Sequence, residues 1–434
     1  MANEDGSEDV TVVPGPAGSE DVTVVARPAG SEDLTVVARP VVASGAEDHA
    51  RRDALLLGVL ALAAYWLSND GQFMFFNYHL HLAVSFLNGR LYIANPPSWL
   101  TEFAFADGKP YVYFDPFPAV FLLPLAAIWG LTVNLAKVSI VVGACNVALM
   151  RLALGALRVQ RGTANWCTLL FGLGTVHMFA SWYGNTWMLA HLLAVMALTL
   201  AWIEVLGAAN PILLGLFCAI AATSRSPAAL GTPVFLLLAL HRRPRFATAV
   251  QFGLPLLATG LLLGIYNFAR FGDWLNNGYL LANQELLNPE HGSFSWRYIP
   301  RNVEQYFLRV PELRSSWPYL VLTDHGLSLI ATTPAVLLLL RRGWSERAPD
   351  AKLYGRLALL ACAMTFALYL CYFWDGWRQF GSRYTLDFTP FLIVALALRN
   401  DPRPGQWRWL LPALVVLSVL VNVWGTWFWR FHRM

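Results

Sequence analysis

Charged side chains are scarce in this sequence: Asp, Glu, Lys and Arg make up 13% of 434 residues, against the roughly 25% of an ordinary soluble domain. A chain so poor in charge cannot cover itself with hydrated surface, which excludes a water-soluble globular protein as the first reading. Cysteine is sparse as well. Its five copies, Cys145, Cys167, Cys218, Cys362 and Cys371, lie within apolar stretches and without ligand spacing, so neither a disulfide framework nor a zinc site is implied. The net charge is only +4 and the basic residues come in short clusters, so nucleic acid is not an expected partner. No apolar run precedes Ala54; a cleavable signal is not expected, and the first run reads as an uncleaved anchor. The paired, inverted halves common in carriers are also missing from the pattern.

What is present is apolar. The residues AVILMFWYC account for 56% of the chain, and nearly uncharged runs recur, among them Ala54–Asn69, Val133–Met150, Thr163–Trp182, Trp187–Ile203, Ala247–Ala269, Gly326–Leu340, Leu357–Trp374 and Trp409–Trp429. Several approach the ~20 residues a helix needs to cross hydrocarbon. The 18 tryptophans and 15 tyrosines cluster near segment ends, where amphipathic rings favour the headgroup layer. The expected fold is an all-α integral membrane protein with about eleven transmembrane helices, plus interfacial or re-entrant helices in its first outside loop. Residues 1–53 stand apart: GSEDVTVVPGPA, GSEDVTVVARPA and GSEDLTVVARPV follow one another at a twelve-residue period from Gly6. Such units cannot bury a core, so they predict a disordered cytoplasmic tail ahead of a polytopic domain over residues 54–434.

Arg51 and Arg52 precede the first run, and the positive-inside rule keeps the tail cytoplasmic and sends Ser68–Asp115 outside. By parity the clusters Arg151/Arg158/Arg161, Arg242/Arg243/Arg245, Arg341/Arg342/Arg347/Lys352 and Arg399/Arg403/Arg408 are then cytoplasmic. That holds if Phe117–Trp129 is re-entrant or interfacial, or crosses with Val133–Leu157 as one bent unit. The outside segments become Ser68–Asn134, Arg270–His325 and Trp374–Tyr384, with Arg430 and Arg433 outside against the rule.

The first outside loop concentrates the chemistry. Asp70 stands where the first run ends, followed by Phe73–Asn88, whose Phe73, Phe76, Leu80, Val84 and Leu87 share one helical face beside a stripe of Asn77, His81, Ser85 and Asn88. This predicts an amphipathic helix in the interface. NGRLYIANPP (88–97) and DGKPYVYFDPFPA (107–119) follow, with prolines expected to hold the chain extended. An aspartate at such a boundary can take a proton from a hydroxyl, and cations are needed to hold an anionic leaving group. Lys109, Arg90, Arg225 in the SRSP break, and Arg378 and Arg383 in WDGWRQFGSRY, which ends at Tyr384, are the candidates. Each has a structural alternative. Asp70 suits a helix cap, Arg225 suits snorkelling, and Arg383 and Asp387, four apart, suit an ion pair. His79, His81 and His191 lack metal-type grouping, and Asp115 serves equally as a turn residue or a second carboxylate.

Together, the boundary Asp70, FLNGRLYIANPP, GKPYVYFDPFPAVFLLP, SRSPAAL, YNFARFGDWLNNGY (266–279), HGLSLIATTPAVLLL (325–339) and FGSRYTLDFTPFLI (380–393) resemble the GT-C superfamily of membrane glycosyltransferases. The likeness is greatest to bacterial relatives of the protein O-mannosyltransferases and the lipid A aminoarabinose transferases, and it covers about Ala54–Leu398. It implies an enzyme of the bacterial inner membrane with its site facing the periplasm. A sugar would move from a polyprenyl-phosphate donor to an envelope glycan, lipid or protein acceptor, with Asp70 as catalytic base. It implies Lys109, Asp115, Arg225, Arg378, Arg383, Tyr384 and His81 as substrate-binding residues, names no cofactor, and leaves room for a divalent cation. Two departures stand out: Gly71 and Gln72 follow Asp70 where relatives often carry a second acid, and FDPFP replaces a lysine-proline-proline run. A multispan transporter or flippase is the alternative, and a scaffold subunit a third reading. This reading expects Asp70→Asn to abolish sugar transfer in a reconstituted assay while lipid binding is retained; transfer at the wild-type rate would remove Asp70 from the mechanism.

Overall fold

A computed structural model of the chain describes residues 44–69, 71, 74–286, 289–401 and 408–432. The repeat-bearing stretch and Asp70 therefore lie outside the described residues, and the architecture below is that of the unit Gly45–Met434. It is mostly helical.

α1 (Ser44–Ser68) begins ahead of the predicted anchor, because no proline interrupts SGAEDHARRD and its Asp53 turns inward. The Asp53 carboxylate is 3.0 Å from Arg151 and 2.6 Å from Arg161. α2 (Tyr78–Leu87) is shorter than the predicted interfacial helix and is enclosed by protein. Ser85 of the expected polar stripe is buried, whereas Leu87 of the expected apolar face is 49% exposed, so packing on α3 (Phe117–Trp129) overrides the amphipathic pattern. α3 carries Pro124 within its 13 residues and ends at Gly130.

Between α2 and α3 lies a departure from an all-α fold. Strands β1 (Ala104–Ala106) and β2 (Lys109–Tyr111) pair antiparallel. Their turn is Asp107–Gly108, with φ of 49° and 72°, the left-handed pair that tight hairpins require and that Asp-Gly readily supplies. DGKP is thus a hairpin rather than a proline-held extended segment.

The chain then runs through α4 (Leu135–Ala156), α5 (Arg161–Leu173), α6 (His177–Tyr183), α7 (Thr186–Leu206), α8 (Pro211–Ser224), α9 (Thr232–Arg242) and α10 (Phe246–Phe271). The predicted single run Thr163–Trp182 is divided into α5 and α6 around Gly174. Pro227 enforces the break after α8, where the chain enters a 3-10 turn over Ser226–Gly231. Residues 272–328 hold α11 (Tyr279–Leu286), α12 (Ile299–Val303) and the hairpin of β3 (Glu312–Leu313) with β4 (Leu320–Val321). The predicted run Gly326–Leu340 forms only α13 (Leu329–Thr332) and a 3-10 segment, because Pro334 cannot continue an α-helix. α14 (Ala351–Leu370), α15 (Thr389–Asn400) and α16 (Leu410–His432) complete the bundle. Among the described residues, α4, α7, α10, α14 and α16 are the five helices long and apolar enough to cross a bilayer.

The helices share two ends. At one, Asp53 meets Arg151 and Arg161, the Gln160 amide donates to Asp401 at 2.7 Å, and Arg347 lies 3.6 Å from the same carboxylate. His241 is 3.4 Å from Asp350 there, and Arg243 donates to the Ala208 carbonyl at 2.7 Å. Members of the predicted basic clusters thus gather together, while Arg403 lies outside the described residues. At the other end, the Ser68 carbonyl accepts from Trp182 at 2.7 Å and from Arg430 at 2.9 Å. Arg270, buried at the end of α10, donates to the Val112 carbonyl at 2.9 Å and so ties the first loop to the bundle. Because removing one member of a buried ion pair strands its partner's charge, Asp53→Asn is expected to cost about 3–5 kcal/mol. A lowered thermal midpoint of the purified protein in detergent would show it.

Candidate functional site

A cavity of about 990 Å³ opens at the end where α1 finishes. Its position follows from local breaks in helical order. Gly184, at φ +56°, closes α6 so near α4 that a Cβ would stand 2.4 Å from the Ala136 Cα. The turn lets Asn185 cap α7 by accepting from the Met188 amide at 3.0 Å, and it places Trp187 and Ala190 on the cavity wall. The SRSP break brings Arg225 and Ser226 to the opposite side, and the 3-10 turn Arg383–Phe388 supplies Arg383 and Tyr384.

Buried behind the wall is Asp387, with no exposed side-chain surface. His191 Nδ1 stands 2.7 Å from one oxygen, and the other accepts a hydrogen bond from the Tyr369 hydroxyl and lies 3.6 Å from Arg225. Asp387 does not pair with Arg383, as its spacing suggested. The helical offset of four is absent because residues 383–388 are a 3-10 turn, and His191 on α7 takes the carboxylate instead. Nor does Arg225 snorkel: its guanidinium reaches Tyr369 at 3.4 Å and lies 5.7 Å from the centre of the Tyr384 ring. Tyr369 and Tyr384 stack at 4.8 Å, nearly parallel.

Arg383 donates to the Trp377 carbonyl at 3.1 Å and lies against Trp187 and Tyr384. Arg378 is exposed, resting over the Trp377 ring at 5.1 Å. Asp115 accepts from the Ser226 amide at 2.7 Å and the Ser226 hydroxyl at 2.6 Å, pinning the first loop beside Arg225. Enclosure raises the Asp115 carboxyl above its usual range, against the pull of the Ser226 hydrogen bond and the Arg225 charge.

Of the residues singled out from sequence, the cavity brings together Asp115, Arg225, Arg378, Arg383 and Tyr384. Lys109 does not join them: it is exposed on β2, with its ammonium 5.3 Å from the centre of the Tyr92 ring. His81 is half-buried in α2, away from the lining. His79 does line the cavity, with Nδ1 2.7 Å from the Thr186 hydroxyl and Nε2 3.2 Å from the Asp115 carbonyl.

The sequence reading passed over Glu102, Tyr369, and the pair His325–Asp375, whose Nδ1 and Oδ1 are 3.0 Å apart. A faint signal existed for Asp387 and His191, each a lone ionisable residue inside an apolar run, which is costly without a partner. No group of three or more His, Cys, Asp or Glu is placed to hold a metal ion among the described residues.

The arrangement is a polar, arginine-bearing chamber with aromatic faces at one end of an apolar helical bundle. It suits a ligand with an anionic group for the guanidinium forks and flat or ring-shaped parts for the aromatic faces. No protein-family model, no curated protein and no solved structure matches the chain. Asp387→Asn removes the counter-charge of Arg225 and is expected to destabilise the fold by about 3–5 kcal/mol. Tyr369→Phe, which leaves His191 and Arg225 on the carboxylate, is expected to cost about 1–3 kcal/mol. Thermal unfolding of both variants in detergent checks the ranking.

Proposed function

We propose that the chain is a membrane glycosyltransferase that moves a sugar from a polyprenyl-phosphate donor to a hydroxyl of a cell-envelope acceptor by direct displacement. The observation that carries the reading is the convergence of Arg225, Arg378 and Arg383 with the faces of Trp187 and Tyr384 in one chamber at the end of an apolar bundle. A polyprenyl phosphate needs a cationic seat for the phosphate within reach of lipid, and sugar rings stack on aromatic faces. Arginine's planar fork matches phosphate oxygens in pairs, and a preorganised cation stabilises the charge that develops on the leaving phosphate. The acceptor's proton goes to a carboxylate of the first loop, for which the likeness to GT-C enzymes nominates Asp70.

The membrane arrangement in this reading has about eleven crossings, the shorter ones broken or tilted among their neighbours. The gathering of the basic clusters at the end away from the chamber supports a cytoplasmic face there, with the chamber facing the periplasm of a bacterial inner membrane.

Proteoliposomes carrying the full chain, supplied with polyprenyl-phosphate sugars and envelope acceptors, test the proposal. Transfer is expected, with Arg378→Gln and Arg383→Gln each lowering kcat/KM about 10- to 100-fold, the equivalent of one charge-assisted hydrogen bond. Passage of the intact donor across the vesicle, with no sugar–phosphate bond broken, would overturn it in favour of a flippase.

A further inference from the structure

The carboxylates around the chamber differ in how much of their bonding capacity is already used. Asp387 is held by His191, Tyr369 and Arg225. Asp115 spends both oxygens on Ser226, and Asp375 faces His325 at 3.0 Å and Arg309 at 3.8 Å. Glu102 is different. Its Oε2 accepts one long hydrogen bond, 3.3 Å from the Tyr113 hydroxyl, and no cation lies within ion-pair distance among the described residues. Glu102 lines the chamber, and its Oε1 has no hydrogen-bond partner among the described residues.

The main chain at this position is fixed by a side chain from α2. The Tyr78 hydroxyl oxygen accepts both the Thr101 and the Glu102 amides, each at 3.1 Å. Tyr78 itself is 1% exposed, with its ring edge-on to Phe103 and Phe114. A buried phenol on α2 thus anchors the base of a carboxylate that points into the chamber, the geometry expected of a group that must meet a ligand in a constant position.

We infer that Glu102 is the base that takes the proton from the acceptor hydroxyl. The inference rests on the glycosyl-transfer reading and gives Glu102 the role assigned to Asp70 there. In the step, the acceptor oxygen forms a bond to the anomeric carbon as the bond from that carbon to the phosphate oxygen breaks. The electron pair of the broken bond leaves with the polyprenyl phosphate, and the hydroxyl proton passes to the Glu102 carboxylate. The acceptor is thereby a hydroxyl compound that binds on the Tyr113 side of the chamber.

The titratable groups facing Glu102 are Tyr113, which donates to it, Tyr78, beneath its amide, and Arg383 across the chamber. Enclosure raises the carboxyl above the ordinary glutamate range, and the Arg383 charge and the Tyr113 hydrogen bond offset only part of that. A base acts only when deprotonated, so transfer is lost as the pH falls through this raised value and is fully present above it.

The test uses the full chain in proteoliposomes with a polyprenyl-phosphate sugar and a hydroxyl acceptor. Glu102→Gln is expected to lower kcat about 10²- to 10⁴-fold, to keep binding of labelled polyprenyl phosphate, and to lose the acidic limb of the pH profile. Glu102→Asp is expected to keep that limb at a reduced rate, which decides the matter should the glutamine variant fail to fold. Tyr78→Phe, a change at a positioning residue, is expected to lower kcat while the limb persists. Glu102→Gln at the wild-type rate with its acidic limb intact would sink the inference alone. Absence of any transfer by the wild type would remove the glycosyl-transfer reading and this inference with it.

Discussion

A carboxylate with no exposed side-chain surface, Asp387, sets the terms for the chamber end of this bundle. An apolar interior cannot hydrate a charge, so Asp387 is tolerable only where donors converge on it, and they come from three places in the chain. His191 arrives on α7, Tyr369 on α14, and Arg225 at the break after α8. Drawing those groups together fixes how α7, α14 and the SRSP turn approach one another. With Arg225 held, the neighbouring Ser226 can hold Asp115, and through it the first loop. The same constraint operates at the other end, where Asp53, Arg151 and Arg161 neutralise one another.

Three parts of the chamber wall are built where helical order stops. Gly184 turns the chain between α6 and α7, Pro227 ends α8, and the 3-10 turn Arg383–Phe388 precedes α15. Interrupted helices leave backbone groups that need partners, and such segments are tolerated in a membrane protein only where protein or a polar cavity supplies them. The interruptions and the polar lining are therefore one structural fact. The aromatic residues have a double use: Tyr369 and Tyr384 stack on each other as packing, while the Tyr384 ring also lies under both Arg225 and Arg383.

Part of the cavity lining was legible in the sequence. Arginines in apolar surroundings are costly enough to draw notice, and Arg225, Arg378 and Arg383 do converge with Asp115 and Tyr384 on one cavity. Lys109 was misleading because the strand that carries it turns at Asp107–Gly108, leaving its side chain exposed over Tyr92. The expected pair Arg383–Asp387 assumed an α-helical offset that the 3-10 turn does not provide. Glu102 was invisible because nothing in WLTEFAF marks which way a loop carboxylate points; only the Tyr78 anchor, distant in sequence, decides that.

Composition and hydrophobic runs, which depend on the solvent each residue prefers, were enough to indicate a mostly helical chain with several helices long and apolar enough to cross a bilayer, its basic clusters separated by apolar segments. Local breaks were partly determined too, since Pro227 and Pro334 interrupt helices and the Asp107–Gly108 pair turns a hairpin through local backbone sterics. Which polar groups meet was decided by the tertiary structure alone. His191 and Asp387 are 196 residues apart, and Asp115 and Ser226 are 111 apart. Such pairings arise from packing between elements, to which neither spacing nor propensity along the chain is sensitive.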